Sequence, residues 1–316
     1  MDVCVTGGTG FIGTHLVRRL ADAGHGVVIV SRGTTGTAND LLDREHVEFV
    51  ETGIANEPAL RAAFADVDVV AHLAGIAFER GSQTFDRVHV EGTKAVASAA
   101  ERADVDRVVL NSFLRARPGC GSTYHETKWA AEETLRSSAV DGAICKTGMV
   151  YGPGDHVVTQ LSRTLATAPI FPLVGRRERW MRPVAVDDVV DVLVAAITDG
   201  TLDGTTVPVV GPEELTLETF VERLGRAMGR EPRIVWLPVV VHRLVARLQT
   251  TLMETPPVAP AQVRMLAEGL VDPAPADVCS PLPASLEPDR EPTVERIERA
   301  LPDIRRYTLG DTRLVG

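Results

Sequence analysis

The chain has 316 residues and a formal net charge of −10, from 43 acidic and 33 basic side chains. Apolar residues make up 44% and charged residues 24% of the sequence, which is ordinary globular usage and excludes a disordered or fibrous protein. The acidic balance excludes nucleic-acid binding, which needs an excess of basic side chains against phosphates.

The four cysteines have neither paired spacing nor the spacing of a metal site. We therefore expect reduced thiols, no metal and a cytoplasmic location. The first residues carry no basic leader, and no apolar run reaches the roughly 18–20 residues of a membrane span, so we expect neither a signal peptide nor a transmembrane segment. The longest apolar stretch, Trp236–Leu252, contains charged residues, and we interpret it as a buried amphipathic helix rather than an interfacial one.

The first half of the chain alternates short apolar runs with segments of helical spacing. The apolar runs are Val3–Thr6, Val27–Val30, Val47–Val50, Val67–Leu73, Arg107–Leu110 and Ala143–Cys145. Between them, segments such as Gly13–Ala23 place apolar residues on one helical face. Strands that alternate with helices are joined by crossovers, so the pattern predicts an α/β fold with a doubly wound parallel sheet of the Rossmann type.

The alternation ends near residue 155. Asp187-Asp188 predicts the start of a helix, Thr206–Val210 a strand and Leu217–Met228 a helix, and prolines become frequent after Trp236. We expect a smaller, mostly helical substrate-binding region rather than a second sheet. The predicted division is a dinucleotide-binding domain over residues 1–155, with 184–210 returning to it, and a substrate-binding region made of 156–183 and 211–316.

Glycines lie directly between the first strand and the first helix. Gly7, Gly10 and Gly13 follow each other at intervals of three residues. Glycine is needed there for the tight turn, for close approach of a pyrophosphate and for packing of the helix on the strand. The start of the helix adds free N–H groups for phosphates. The loop therefore predicts a bound dinucleotide.

The end of the second strand separates NAD from NADP. NAD sites carry a carboxylate there for the ribose 2′-hydroxyl, whereas an arginine accommodates a 2′-phosphate. This chain has Ser31 and Arg32 at that point and no carboxylate. We favour NADP, and NAD remains the alternative, in which Arg32 is a solvated loop residue.

Tyr124 and Lys128 lie four residues apart at the start of a helical segment and so share one face of the helix. Lysine is rare in this chain, at positions 94, 128 and 146 alone, which makes the spacing informative. A nearby ammonium lowers the pKa of a phenol from its usual value of about 10 and makes proton exchange with an alcohol or carbonyl feasible. Ser112 ends the fifth strand, at the sheet edge where ligands bind in open α/β sheets. We predict a catalytic site made of Ser112, Tyr124 and Lys128.

These motifs together resemble the extended short-chain dehydrogenase/reductase superfamily, in its NAD-dependent epimerase/dehydratase-like form. The strand end His72–Gly75, residues 150–155 (VYGPGD) and residues 182–189 (RPVAVDDV) add to the resemblance. It implies that Tyr124 is the general acid/base, that Lys128 holds the nicotinamide ribose and that Ser112 polarises the substrate oxygen. The predicted cofactor-binding residues are Gly7, Gly10, Phe11, Ile12, Gly13, Ser31, Arg32, Gly53, Ile54, Leu73, Ala74, Gly75, Tyr124 and Lys128.

The sequence departs from the family pattern at three places. His89 stands where the family usually has an asparagine, and we interpret it as a buried histidine with its hydrogen bonds satisfied. Gly53-Ile54 replaces a Gly-Asp pair whose carboxylate meets the adenine. Lys146-Thr147 replaces an Arg-Pro pair.

Tyr124 follows Ser112 by only twelve residues. This short interval and the tail Pro260–Leu266 resemble the branch related to the nucleotide-binding accessory subunit of respiratory complex I. Three functions stay open. An NAD(P)-dependent oxidoreductase acting on an alcohol or carbonyl leads, a non-catalytic NADPH-binding accessory protein is the alternative, and a sugar-nucleotide epimerase or dehydratase is the second alternative. The expected partners are a small-molecule substrate, with a homodimer or peripheral association with a larger complex implied by the resemblance.

Overall fold

A computed structural model describes residues 1–33, 39–167, 170–174, 179–238, 240 and 269–302. The tail at 260–266 and most of the apolar stretch Trp236–Leu252 lie outside these residues. Within the described part of the chain, no helix has both the length and the apolar character needed to cross a bilayer.

A seven-stranded parallel sheet is the centre of the first compact unit, which comprises Met1–Gly148, Val186–Val209 and Asp272–Pro288. Its strands are β1 (Asp2–Thr6), β2 (Gly26–Ser31), β3 (Val47–Glu51), β4 (Val69–His72), β5 (Arg107–Phe113), β6 (Asp141–Thr147) and β11 (Thr206–Val209). They lie in the order β11-β6-β5-β4-β1-β2-β3, and every neighbouring pair is parallel. The predicted Rossmann-type fold class is confirmed. Because the order reverses beside β1, the crevice at the carboxyl ends of β1 and β4 is where such a sheet binds ligands.

Helices cover both faces of the sheet. They are α1 (Phe11–Asp22), α2 (Asn39–Leu42), α3 (Glu57–Ala63), a π-helix (Asp86–Glu91), α4 (Gly92–Arg102), α5 (Thr123–Arg136) and α7 (Val186–Thr198), with short 3-10 turns at Ala276–Val278 and Ala284–Leu286. The predicted helical face of α1 buries Leu16, Val17 and Leu20. On the opposite face, Phe64 of the α3 end and Val96 of α4 pack with strand residues in one apolar cluster. Burial of these faces fixes each helix on the sheet.

Residues 272–288 belong to this first unit, although the sequence placed them in the substrate-binding region. The Ser280 amide donates to the carbonyl oxygen of Thr206 at 2.8 Å, and the Ala274 amide donates to Leu114 at 2.9 Å. The first bond lies at the β11 edge of the sheet, and the second joins the segment to the residue that follows β5. A proline-rich segment without periodic apolar residues gives no sequence signal for such an edge contact.

The second compact unit comprises Met149–Ala185, Val210–Val271 and Asp289–Gly316. Its elements are β7 (Val150–Tyr151), α6 (His156–Thr167), β8 (Ile170–Val174), β9 (Trp180–Met181), β10 (Val184–Ala185), β12 (Leu215–Thr216), α8 (Leu217–Ala227), β13 (Arg233–Leu237) and α9 (Val294–Ala300). The strands form three pairs, β7 with β10, β8 with β13 and β9 with β12. The sequence analysis did not predict these pairs, and in two of them, β7 with β10 and β9 with β12, the strands have two residues each, which is too short for a periodic pattern.

Candidate functional site

The loop between β1 and α1 is crowded by its own main chain. Gly7 has a φ of +73°, and a Cβ built on it would lie 2.9 Å from the backbone nitrogen of Ala74. A Cβ on Gly13 would lie 2.3 Å from the carbonyl oxygen of Gly7. Such distances admit no side chain, so the glycine spacing is dictated by close backbone packing of the loop against α1 and β4.

A cavity of about 220 Å³ opens along this loop. The predicted residues that line it are Gly7, Gly10, Ser31, Arg32, Ile54, Leu73, Ala74 and Gly75. The lining residues that the sequence analysis missed are Thr9, Val30, Thr52, Ile76, Gln83 and Val88. Of these residues, Thr9 could have been predicted from the sequence, because it lies inside the glycine motif. Phe11, Ile12 and Gly13 are not in the lining, and they form the first turn of α1, whose N–H groups have no partner within the helix.

The electrostatics of the cavity suit an anion. Among the described residues that line it none is acidic, and Arg32 is the basic one, with an exposed side chain. Ser31 and Thr9 join their hydroxyl oxygens at 2.7 Å, and each contacts the carbonyl oxygen of Gly33 at 3.2 Å. The partial positive charge at the start of α1 adds to this environment. Gly53 is not part of the lining, and the space around its Cα is open.

Tyr124 lies in the first turn of α5 among four rings. The ring centroids of Phe113, Phe85, His89 and His125 are 5.4, 5.5, 5.6 and 5.8 Å from that of Tyr124. Its hydroxyl makes no hydrogen bond to any residue that the structure describes. Burial raises the pKa of the Tyr124 phenol, the opposite of the lowering that the sequence analysis expected. The rings remove water from the phenol, and desolvation penalises the phenolate.

Lys128 reaches the edge of the cavity from the next turn of α5. A Cβ on Gly75, which lines the cavity, would lie 3.3 Å from Lys128 Nζ. The ammonium donates to the carbonyl oxygen of Asn111 at 3.3 Å, and the side chain is buried. Burial lowers the pKa of Lys128 to about 8, while the Glu132 carboxylate opposes that shift. The structure therefore places the lysine of the predicted pair against the predicted cofactor loop.

Ser112 has a contact that its predicted role did not foresee. Its hydroxyl donates to Glu132 Oε1 at 2.5 Å, and both side chains are buried. Lys146 donates to both oxygens of Glu132, at 2.7 and 2.9 Å, and Arg136 donates to Oε2 at 2.9 Å. The Ser112 hydroxyl therefore already donates its hydrogen to a buried carboxylate. It would need the same hydrogen to polarise a substrate oxygen.

The sequence offered a signal for part of this cluster. Lys128, Glu132 and Arg136 follow each other at four-residue intervals on α5, the spacing of helical ion pairs. Lys146 was noticed only as a departure from the family pattern. No sequence pattern indicated a role for Asn111. Its Oδ1 is buried and has no hydrogen-bond partner among the described residues. An unsatisfied buried acceptor beside the Lys128 contact marks a place for a ligand or water.

His89 is buried and uses both ring nitrogens. Nδ1 lies 3.0 Å from Thr127 Oγ1, and Nε2 accepts the Ile76 amide at 3.2 Å. Burial, with the Lys128 charge nearby, lowers the pKa of His89 to about 2, so the ring is neutral. The interpretation of His89 as a buried and satisfied histidine agrees with these contacts.

His72, at the end of β4, is a second neutral histidine. Its Nδ1 lies 2.7 Å from Thr6 Oγ1 and its Nε2 lies 3.0 Å from Thr93 Oγ1. Burial lowers its pKa to about 3. Across the described residues, no group of three or more His, Cys, Asp or Glu side chains is placed to hold a metal ion.

Comparisons with known proteins find a family model, relatives and solved structures that are similar to this chain. A family model described as the NAD dependent epimerase/dehydratase family matches residues 3–209. A protein named ceramide reductase from Caulobacter vibrioides is 30% identical over 236 residues, which are 75% of this chain and 73% of that protein. Subunit 9 of the NADH dehydrogenase [ubiquinone] 1 alpha subcomplex of Arabidopsis thaliana, a mitochondrial protein, is 28% identical over 247 residues, 77% of this chain and 61% of the subunit. The match thus spans less than two thirds of that subunit.

A solved structure of UDP-glucuronic acid 4-epimerase from Bacillus cereus, in complex with NAD, has a similar fold. Its TM-score with this chain is 0.73, at 20% sequence identity, and the match covers 95% of this chain and 97% of that one. At this identity the likeness establishes the fold, and it does not define the chemistry of the site.

Proposed function

The chain belongs to the NAD dependent epimerase/dehydratase family, and from that premise we propose that it is an NAD(P)-dependent oxidoreductase that reduces a carbonyl compound. The observation that carries the proposal is the position of Gly75, which lines the cavity and also lies against the Lys128 ammonium. Tyr124 is one helical turn away on α5. This arrangement supports a proton-transfer pair beside a cofactor loop at one edge of the sheet.

The cavity suits the adenosine and pyrophosphate part of a nicotinamide dinucleotide. The crowding of Gly7 and Gly13 brings bare backbone and the start of α1 to the ligand, as a pyrophosphate requires. Ser31 and Arg32 lie where the adenine ribose is bound in such folds, and an arginine there favours the 2′-phosphate of NADP. When bound, the cofactor supplies the hydride.

Tyr124 and Lys128 supply the proton chemistry. Because a phenol with its ordinary pKa of about 10 is protonated at neutral pH, Tyr124 acts as an acid and donates its hydroxyl proton to the substrate oxygen. Lys128 holds the ribose through the donors that its bond to Asn111 leaves available. We assign Ser112 to the support of Glu132 rather than to the substrate oxygen, because its hydrogen is already donated.

The substrate class follows from the rings around Tyr124. Phe85 and Phe113 pack against the tyrosine ring, so the phenol that would meet the reacting carbonyl lies in apolar surroundings. The relative named ceramide reductase supports the same class, because a ceramide is a lipid. We propose a carbonyl compound with an apolar flank.

The alternative is a nucleotide-binding accessory protein without turnover. The similarity to the mitochondrial NADH dehydrogenase subunit favours it, together with the Ser112 hydroxyl that is held by Glu132. In that case the same cavity holds the cofactor permanently, and the chain associates at the periphery of a larger complex.

Purified protein supplied with NADPH or NADH and a panel of keto lipids and simple ketones tests the proposal, with cofactor absorbance as the signal. We expect oxidation of the cofactor and a loss of turnover of about 10²–10⁴-fold in Tyr124→Phe, the usual contribution of a positioned acid. The dissociation constant of the cofactor should not change, because the substitution leaves the cavity intact. Tyr151→Phe is the matched control, since Tyr151 belongs to the second unit and its hydroxyl donates to the Arg290 carbonyl oxygen of that same unit.

The outcomes separate the three functions. Tight binding of NADPH that no carbonyl oxidises establishes the accessory protein. Conversion of a UDP-sugar without net oxidation of cofactor establishes the epimerase. Equal turnover in wild type and Tyr124→Phe removes Tyr124 from its proposed role.

A further inference from the structure

His89 connects the cofactor loop to α5 through a single ring. The Ile76 amide, on the loop after β4, donates to one ring nitrogen, and Thr127, between Tyr124 and Lys128 in sequence, contacts the other. Ile76 itself lines the cavity. The ring is stacked on Phe85 at 5.5 Å and lies edge-on to Tyr124 at 5.6 Å, so it cannot turn without displacing both.

The hydrogen bonds leave one protonation state for the ring. A peptide N–H only donates, so Nε2 of His89 carries the lone pair that accepts from Ile76. Nδ1 then carries the hydrogen and donates it to Thr127 Oγ1, whose own hydrogen goes to the Thr123 carbonyl at 2.7 Å. The chain of bonds runs in one direction, from the loop amide through the imidazole into the first turn of α5.

From this connection we infer that His89 is a positioning residue that transmits the binding of a nucleotide at the loop to the Tyr124–Lys128 turn of α5. The inference rests on the proposed function only in taking the cavity as a nucleotide site. It goes beyond it, because the described lining of the cavity contains no residue of α5. Gly75 of the lining lies against Lys128, and Ile76 of the lining is hydrogen-bonded through His89 to Thr127, so the imidazole is a hydrogen-bonded route from the cavity to α5.

Hydrogen–deuterium exchange with ADP as the probe tests the inference. ADP carries the adenosine and pyrophosphate of the cofactor but lacks the nicotinamide ribose, which is the part that the proposed function assigns to Lys128. In the wild-type protein we expect ADP to slow amide exchange in peptides over 73–80 and in peptides over 123–130, each by about fivefold or more, the lower end of ordinary site-to-site coupling. In His89→Phe, which keeps the stacked ring and removes both hydrogen bonds, the slowing at 73–80 should remain and that at 123–130 should be lost.

Two matched substitutions complete the experiment. His89→Gln offers one acceptor and one donor at the end of a flexible side chain and should restore most of the response at 123–130. Thr127→Val should abolish the response as His89→Phe does, because it removes the oxygen that accepts from the ring. Thr134→Val is its control, since Thr134 makes the same bond to a carbonyl four residues earlier on α5, at 2.9 Å, and lies outside the route.

The results separate failure of the inference from failure of the proposed function. Slowing at 73–80 without slowing at 123–130 in the wild type overturns the inference, as does an undiminished response in His89→Phe and Thr127→Val. If His89→Phe does not fold, Thr127→Val and Thr134→Val decide alone. Absence of slowing at 73–80 with ADP, NADH and NADPH overturns the proposed nucleotide site itself.

Discussion

The two ends of the candidate site are shaped by different parts of the polypeptide, main-chain atoms at one end and side chains at the other. At the glycine loop, the cavity is shaped by main chain, with Gly7 and Gly13 too close to other backbone atoms to carry a Cβ. At the Tyr124–Lys128 end, the geometry depends on buried side chains, namely the Glu132 carboxylate with its three donors and the His89 ring with its two contacts. Main-chain geometry fixes the first end, so most single substitutions should leave its shape unchanged. Single side chains fix the second end, so replacing one of them should change its geometry. Substitutions should therefore act differently at the two ends.

The largest effect is expected at the side-chain end, from Lys146→Met. The Lys146 and Glu132 side chains are both fully buried, so the substitution leaves a carboxylate without its main partner. We expect the free energy of unfolding in urea to fall by about 3–5 kcal/mol, the usual cost of breaking a buried pair. Lys146→Arg keeps the charge and should cost much less. Equal losses in the two variants would show that the shape of the Lys146 side chain, rather than its charge, determines the stability of the cluster around Glu132.

Gly13→Ala probes the main-chain end. Its Cβ would meet the Gly7 carbonyl oxygen at 2.3 Å, so the loop must move away from α1. We expect a loss of about 1–3 kcal/mol in unfolding free energy, as for other overpacked sites, and weaker NAD(P) binding by calorimetry. Gly53→Ala, where the space is open, serves as the folding control. An unperturbed affinity in Gly13→Ala would contradict a cavity shaped by backbone.

The pH dependence of NAD binding should come from the Lys128 end of the site, since the arginine at the other end, Arg32, keeps its charge over the accessible pH range. Lys128 has a pKa lowered to about 8, so its ammonium is present below that pH and is lost above it. Affinity for NAD should therefore fall as the pH rises through about 8, by at most about tenfold per pH unit. Lys128→Met should remove this dependence. His72 and His89, with pKa values of about 3 and 2, predict no change in affinity near pH 6.5.

The smallest effect is expected from Arg32→Ala. The side chain is exposed at the cavity, and exposed charge pairs contribute up to about 1 kcal/mol. We expect the affinity for NADP to fall about fivefold while that for NAD stays the same, as measured by titration of each cofactor. Equal losses for both cofactors would remove the preference for NADP.

The same division explains what the sequence could predict. The parallel sheet, the glycine turn and the helix that bears Tyr124 follow from local patterns of apolar residues and glycine, and most of the cavity lining follows with them. The contacts of Ser112 and His89 could not be predicted in this way, because they join residues 20 and 38 positions apart through side chains whose direction depends on packing. The rise in the Tyr124 pKa has the same origin, since the spacing to Lys128 is visible in sequence and the four surrounding rings are not.

The π-helix Asp86–Glu91, which carries His89, has a consequence for how this protein changes over generations. A π-helix winds more residues into each turn than an α-helix and arises when one residue is inserted into a regular helix. Deleting one residue there would restore regular winding and swing the preceding side chains by about 100° around the axis. Loss of a single codon before position 89 would thus rearrange the surroundings of the tyrosine without replacing any amino acid near it. Length variation at this turn is therefore as informative as substitution when related chains are compared.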